Sequence, residues 1–211
     1  MTDLLVLTTT RHAFRHEASI AAGVPVLRDL ALAAGLDLEH TEDTSVLSAD
    51  RLVGVRAVVF LHCNGEILSV DQRAALRAAV EGGCGFAGVH NASGAERDWP
   101  EYLDLIGARF QSHPELTDQP RSLRVVDATH ASTRVLPPEW SWSDEWYEFE
   151  DEPVGTQPLL VLADEPGRAL AWHGRLGQGC TWYTALGHRG EAWSDPLFTA
   201  HVWGGIESVL A

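Results

Sequence analysis

Residues Gly82–Pro114 read GGCGFAGVHNASGAERDWPEYLDLIGARFQSHP. Glycines lead into a short apolar run, Phe86-Ala87-Gly88-Val89, of the kind that forms a buried parallel strand. The run breaks at His90-Asn91-Ala92-Ser93-Gly94, and Asp98-Trp99-Pro100 then opens a helical pattern through Tyr102, Leu103, Leu105 and Ile106. Strand, sharp turn, polar cluster and helix describe an elbow in an open α/β sheet. Such sheets bind ligands outside the carboxyl ends of their strands, which is where His90 falls.

Outward from this stretch, the chain alternates strand and helix. Leu4–Thr8 predicts a first strand, and a loop carrying Arg11, His12, Phe14, Arg15 and His16 follows it. A helix is expected next, with Pro25 in its first turn, a stripe of Val26, Leu27, Leu30 and Leu32, and Gly35 as its stop. Leu36–His40 predicts the second strand, Ser48 caps a short helix through Leu52, and Ala57–Leu61 predicts the third strand, ending at His62. Ser69 caps a helix over Val70–Val80 that Gly82 and Gly83 terminate. This alternation predicts an α/β fold with a doubly wound, mainly parallel sheet and helices on both faces.

After Pro114 the rhythm changes. Leu123–Val126 and Leu159–Ala163 predict strands, and Ala169–His173 with Cys180–Ala185 predict a hairpin about residues 174–179. These add antiparallel strands toward the C-terminus. A closing helix is expected over Trp193–Leu210, with Asp195 as its cap and Pro196 at its first position. With no repeat, low-complexity segment or linker, one domain over residues 1–211 is expected. The segment PPEWSWSDEWYEFEDEP, residues 137–153, is dense in tryptophan and carboxylates and has no clear helix or strand of its own. It suits either a surface loop whose aromatics cover the core or a loop over the cleft, where aromatic faces stack on a sugar or another flat, partly apolar ligand. Trp140, Trp142, Trp146 and Tyr147 flank Glu145, which predicts a desolvated carboxyl with a raised pKa.

The 211 residues are 45% apolar, enough for a substantial core. Lys and Arg total 15 against 30 Asp and Glu, a formal charge of -15. That balance argues against nucleic acid and against an anionic membrane surface, both of which need a basic footprint. No apolar stretch reaches the length of a membrane span and the first residues lack a basic leader, so a cytoplasmic location is the expectation. The three cysteines, Cys63, Cys84 and Cys180, are too scattered for a disulfide framework or a zinc cluster.

Histidines concentrate at the predicted strand ends: His12 and His16 after the first, then His40, His62, His90 and, after the hairpin, His188. His113 follows the elbow's helix and can fold back over it. Clustered imidazoles and carboxylates suit acid–base catalysis and equally suit a metal ion. No H-E-x-x-H spacing is present, so no cofactor is assigned and a divalent metal is left open. No G-x-S-x-G elbow or glycine-rich phosphate loop is present, and Cys84, at the start of its strand, is expected to be a packing residue.

Four pieces taken together are specific: Phe14-Arg15-His16, Gly85-Phe-Ala-Gly-Val-His90, Ser143-Asp-Glu-Trp-Tyr147 and Tyr183-Thr-Ala-Leu-Gly-His188. With Asp98-Trp99 and Ser112-His113-Pro114 they resemble the ThuA-like family, named for trehalose utilisation, in matching order over nearly the whole chain. The resemblance implies a flavodoxin-like fold similar to class I glutamine amidotransferases. Those enzymes carry Cys in a G-x-C-x-G elbow, whereas Gly88-Val89-His90-Asn91-Ala92 has His there, so thioester chemistry and glutaminase activity are not expected. The resemblance implies carbohydrate catabolism, with a keto sugar or keto glycoside as substrate and acid–base chemistry next to its carbonyl, leading to isomerisation or elimination. It carries over Glu145, His188, His90, His16 and His113 as catalytic candidates. Arg15, Asn91, Asp98, Trp99, Asp144, Trp146 and Tyr147 are the substrate-binding candidates. A non-catalytic carbohydrate-binding or regulatory protein and a metal-dependent hydrolase are the alternatives. The expected partner is a small-molecule carbohydrate, and a homodimer is left open.

Overall fold

The computed structural model describes residues 2–114 and 119–210. Three apolar runs and one mixed segment, Leu-Glu-His-Thr in β2, form its first strands: β1 (Leu4–Leu7), β2 (Leu38–Thr41), β3 (Ala57–Leu61) and β4 (Gly85–Val89). Every residue of β1, β3 and β4 is buried, as expected for strands covered on both faces. The crossovers between them carry α1 (Glu17–Ala33), α2 (Ala49–Leu52) and α3 (Val70–Glu81), and α4 (Leu103–Ile106) follows the elbow. After α4 come β5 (Phe110–Ser112), β6 (Arg121–Val125), β7 (Glu139–Trp142), β8 (Glu148–Phe149) and β9 (Thr156–Leu162). The hairpin β10 (Ala169–Leu176) and β11 (Gly179–Thr184) precedes α5 (Pro196–Val209).

Nine strands make one sheet, in the order β2-β1-β3-β4-β11-β10-β9-β6-β7. The neighbours from β2 through to β11 pair in parallel, and those from β11 out to β7 pair antiparallel. β11 therefore joins a parallel body to an antiparallel wing, and its carboxyl end lies beside that of β4. Strand β4 has helices on both sides. A Cβ at Gly85 would lie 2.7 Å from Val209 Cβ in α5, and one at Gly88 would lie 2.4 Å from Ile106 Cδ1 in α4. Residues of odd and even position face opposite sides of a strand, so the two glycines let α5 and α4 approach opposite faces.

Local signals place most boundaries. Ser69 and Gln72 form a reciprocal capping box at the start of α3, Ser48 caps α2, and Asp195 accepts the Leu197 and Phe198 N–H groups at the start of α5. At the end of α1, Gly35 adopts φ +71°, Leu36 N–H reaches Ala31 O, and Gly35 N–H reaches Leu32 O. That is a Schellman stop.

Three expectations need correction. Pro25 lies in the interior of α1, not in its first turn. Its ring is on the exposed side, and burial of Ile20, Val24, Leu27 and Ala31 outweighs the lost hydrogen bond. Leu32 is not part of the apolar stripe and is 78% exposed. The aromatic segment is not structureless: β7 pairs with β6 in the large sheet, and β8 pairs with β5 in a two-stranded ribbon. Cross-strand backbone bonds, invisible to local propensity, order both ends of that segment.

Candidate active site

The carboxyl edge of the parallel strands gathers the site. After β1 the chain turns at His16, which caps α1 by position but sends no side-chain hydrogen bond into the helix. β3 and β4 each end on a histidine in the left-handed region, His62 at φ +57° and His90 at φ +52°. Such backbone is uncommon for a residue with a Cβ and persists where surrounding structure fixes it. After β11 the chain turns through Gly187 into His188. The ribbon of β5 and β8 brings His113, just past β5, against Tyr147, just before β8. Their rings stack with centroids 6.2 Å apart.

Glu145 is the hub, and it is buried. Its Oε2 lies 3.1 Å from His188 Nδ1 and 3.3 Å from His90 Nε2, and its Oε1 lies 3.4 Å from His113 Nε2. His16 Nε2 is 3.1 Å from His90 Nε2 on the opposite side. His62 completes the wall, stacked on His16 with centroids 4.8 Å apart. The His188 contact is close in distance but not aligned, so the buried Nδ1 has no hydrogen-bond partner.

Tautomers follow from the partners. His90 Nδ1 faces the Ala185 carbonyl at 2.6 Å, and a carbonyl only accepts, so Nδ1 carries a proton. In the neutral ring Nε2 is then a bare lone pair, and it accepts the Tyr147 hydroxyl at 2.9 Å. His62 Nε2 lies 2.8 Å from Ser19 Oγ, whose one proton goes to Gly187 O at 2.7 Å. His62 is therefore the Nε2–H donor, and its Nδ1 is buried without a partner.

Electrostatics separate the acid from the bases. Burial, then the neighbouring His90 and His188 imidazoles, pushes His16 down to about 3, and it holds His62 well below the usual histidine range. Both are neutral near pH 7. Burial alone would raise Glu145, but His188 and His90, in their protonated forms, outweigh it and hold the carboxyl well below the usual carboxylate range. This corrects the expected upward shift. The tryptophans flank Glu145 in sequence, yet its carboxylate points into the histidines.

A cleft of about 260 Å³ opens beside this cluster, bordered by Phe14, His16, Asn91, His113, Glu145 and Tyr147. All five catalytic candidates meet: His16, His90, His113, Glu145 and His188. Of the substrate-binding candidates, Asn91 and Tyr147 reach the cleft. The other five do not border it. Arg15 is held by Glu17, Glu42 and the Thr8 carbonyl. Asp98 stands in an exposed turn that Glu66 holds by its backbone N–H, and Trp99 is buried beneath Arg73. Trp146 is buried under the Arg121 guanidinium, and Asp144 turns its carboxylate inward to backbone N–H groups. His12 is exposed in its loop, and His40 bonds Thr8 Oγ1 at 2.9 Å away from the cluster.

Sequence reasoning passed over Asn64, Arg97 and Phe110, which also border the cleft. Asn64 had a signal, three residues past the end of β3. Arg97 and Phe110 had none, since the ribbon that folds back over the elbow sets their place. Cys84 lies at the far, amino end of β4, and burial raises its thiol to about 11. The packing role expected for it agrees with this position.

One donor atom each from His16, His90, Glu145 and His188 lie within 4.8 Å of one another. Those donors suit a divalent cation: an ionised carboxylate, a His90 Nε2 lone pair fixed by its Nδ1–H bond to a carbonyl, and an unpartnered His188 Nδ1.

The fold is shared with solved structures. A ThuA-like protein of Bacteroides uniformis matches with a TM-score of 0.79 and 19% identity over 96% of this chain and 89% of that one. A ThuA-like protein of Parabacteroides merdae matches at 0.76 and 16% identity, over 99% of this chain and 90% of that one. A β-galactosidase of Rahnella sp. R3 matches at 0.65 and 16% identity over 98% of this chain, but only 31% of that one. Identities this low establish the fold alone. No curated protein matches the chain. Among the described residues no helix is long and apolar enough to cross a membrane. The family model for ThuA, trehalose utilisation, matches residues 3–208, and the chain therefore belongs to the ThuA family.

Proposed function

We propose that the protein is an enzyme of carbohydrate catabolism that moves a proton on the carbon next to the carbonyl of a keto sugar or keto glycoside. One observation carries this: a buried carboxylate with imidazole nitrogens at 3.1, 3.3 and 3.4 Å, beside a small cleft. A nucleophile is not what the cleft offers, because its elbow residue is His90 and the thiols of Cys63 and Cys84 are buried and raised. The family's association with trehalose utilisation supports a sugar as the ligand, and the cleft volume suits a single ring. The order β2-β1-β3-β4-β11 of the parallel strands supports a flavodoxin-like body of the amidotransferase kind, with His90 at the elbow.

In this reading the substrate's carbonyl oxygen lies against the imidazoles and its neighbouring C–H faces Glu145. The base takes the proton and the C–H electron pair forms an enediolate. Return of a proton to the neighbouring carbon completes an isomerisation. Where a glycosidic oxygen sits one carbon further on, its departure with the electron pair completes an elimination. Glu145 is ionised at neutral pH and accepts the proton. His113, the most exposed ring of the set, exchanges it with solvent. A divalent ion held by His16, His90, Glu145 and His188 would polarise the carbonyl and acidify the adjacent C–H. The same four donors favour a metal-dependent hydrolase as the second reading.

Incubation of the purified, untagged protein with 3-keto-trehalose and other keto glycosides, followed by product analysis, tests the proposal. Glu145→Gln should lower turnover by roughly 10²–10⁴-fold. Loss of turnover on chelation and recovery with zinc or manganese assign the metal. Hydrolysis of ordinary glycosides with no action on keto sugars favours the second reading, and a fully active Glu145→Gln rejects the first.

A further inference from the structure

We propose that Asp144 is a positioning residue that locks the loop carrying Glu145 onto the turn carrying His188. This rests on the acid–base reading of the same site. Asp144 is 2% exposed. Its Oδ1 accepts the Glu145 N–H at 2.9 Å and the His188 N–H at 3.0 Å. Its Oδ2 accepts the Gly187 N–H at 2.7 Å and the Trp142 indole N–H at 2.8 Å. Four donors fill the four acceptor positions of one carboxylate, so nothing of it is left for substrate.

The two segments it joins are 44 residues apart and belong to different parts of the sheet. The Glu145 loop hangs between β7 and β8, while the turn at Gly187 follows β11. A second tie holds the turn from below: Ser19 Oγ donates to Gly187 O at 2.7 Å and accepts the Trp193 indole N–H at 2.8 Å. Arg168 holds the loop beyond Glu145 through the Trp146 and Tyr147 carbonyls, and Asp144 ties the loop directly to the turn that carries His188.

Asparagine tests this with little change of shape. Its single oxygen can serve one pair of N–H donors, and its NH2 then faces the other pair donor to donor. Either orientation breaks at least one bond from the 187–188 turn. The first readout is hydrogen exchange at the Gly187 and His188 N–H groups, followed by NMR near neutral pH in protein without substrate. In Asp144→Asn at least one of the two should exchange about tenfold faster or more, because it loses its carboxylate partner. The second readout is turnover on a keto glycoside, where kcat should fall on the order of tens-fold while KM stays within about threefold.

Ser69→Ala removes the cap of α3 and should lower the melting temperature without changing that exchange. If Asp144→Asn does not fold, Trp142→Phe removes one of the four bonds and should speed the exchange by less. Unchanged exchange at both N–H groups in folded Asp144→Asn, or in Trp142→Phe where only that variant folds, overturns the proposal. Exchange that speeds up while the wild type turns over no keto sugar sinks the proposed function and leaves the positioning role standing.

Discussion

Acid sensitivity should begin near pH 6.5, well above the usual carboxylate range, because the fold buries neutral histidines. His16 is pushed down to about 3 and His201 to about 4, with burial the leading cause for each, and His62 is held well below the ordinary value. His201 is fixed as a neutral ring between Ser132 O, 2.9 Å from Nδ1, and Thr184 Oγ1, 3.1 Å from Nε2. For each of the three, the unfolded chain takes up a proton as pH falls below about 6.5 and the folded chain does not. Their contribution is therefore complete above that pH and is lost progressively down to the folded-state values. Between pH 7 and pH 5.5 the integrated loss is about 1.2 kcal/mol per histidine, or just under about 4 kcal/mol for three. A chain of this size loses roughly 2–4 °C per kcal/mol, so the melting temperature should drop by about 10 °C. Glu145 acts in the same direction at lower pH: its folded value is depressed, so its contribution is lost as pH falls below the ordinary carboxylate range. Calorimetry at constant ionic strength measures both the melting temperature and the protons taken up on unfolding. His201→Gln removes one titrating ring outside the site and should reduce the loss by about 1.2 kcal/mol. A melting temperature that is flat between the two pH values, or uptake of fewer than about one proton on unfolding at pH 5.5, refutes the buried neutral histidines.

Cys84→Ala should leave turnover within a few-fold and cost about 1 kcal/mol in chemical denaturation, because the thiol packs at the amino end of β4, away from the cleft. Complete loss of turnover in folded Cys84→Ala would show that this end of the strand matters to the chemistry. Gly88→Ala places a Cβ 2.4 Å from Ile106 Cδ1 and 3.1 Å from Tyr183 Cδ2, next to the elbow. It should destabilise by about 1–3 kcal/mol, read as a lower denaturation midpoint; an unchanged midpoint would mean that α4 shifts freely on the sheet.

The amino-acid sequence by itself determined the parallel strands, the elbow and the helix caps. Apolar runs of five residues, Ser48, Ser69 and Asp195 before helices, and Gly35 after one are local signals, and the chain obeys them. It also determined that histidines crowd one edge, since His16, His62, His90 and His188 each follow a strand of the parallel body. Tertiary structure decided the rest. Spacing brings a residue to the edge of a sheet but does not aim its side chain once a distant segment crosses that edge. Arg15 found Glu17 and Glu42, Asp144 found three backbone N–H groups, and neither borders the cleft. The ribbon of β5 and β8, two and three residues long, carries no propensity signal, yet it brings His113 and Tyr147 to the site. The charge of Glu145 was decided the same way. Its neighbours in sequence are aromatic and would neutralise it, whereas its neighbours in space are imidazoles and keep it ionised.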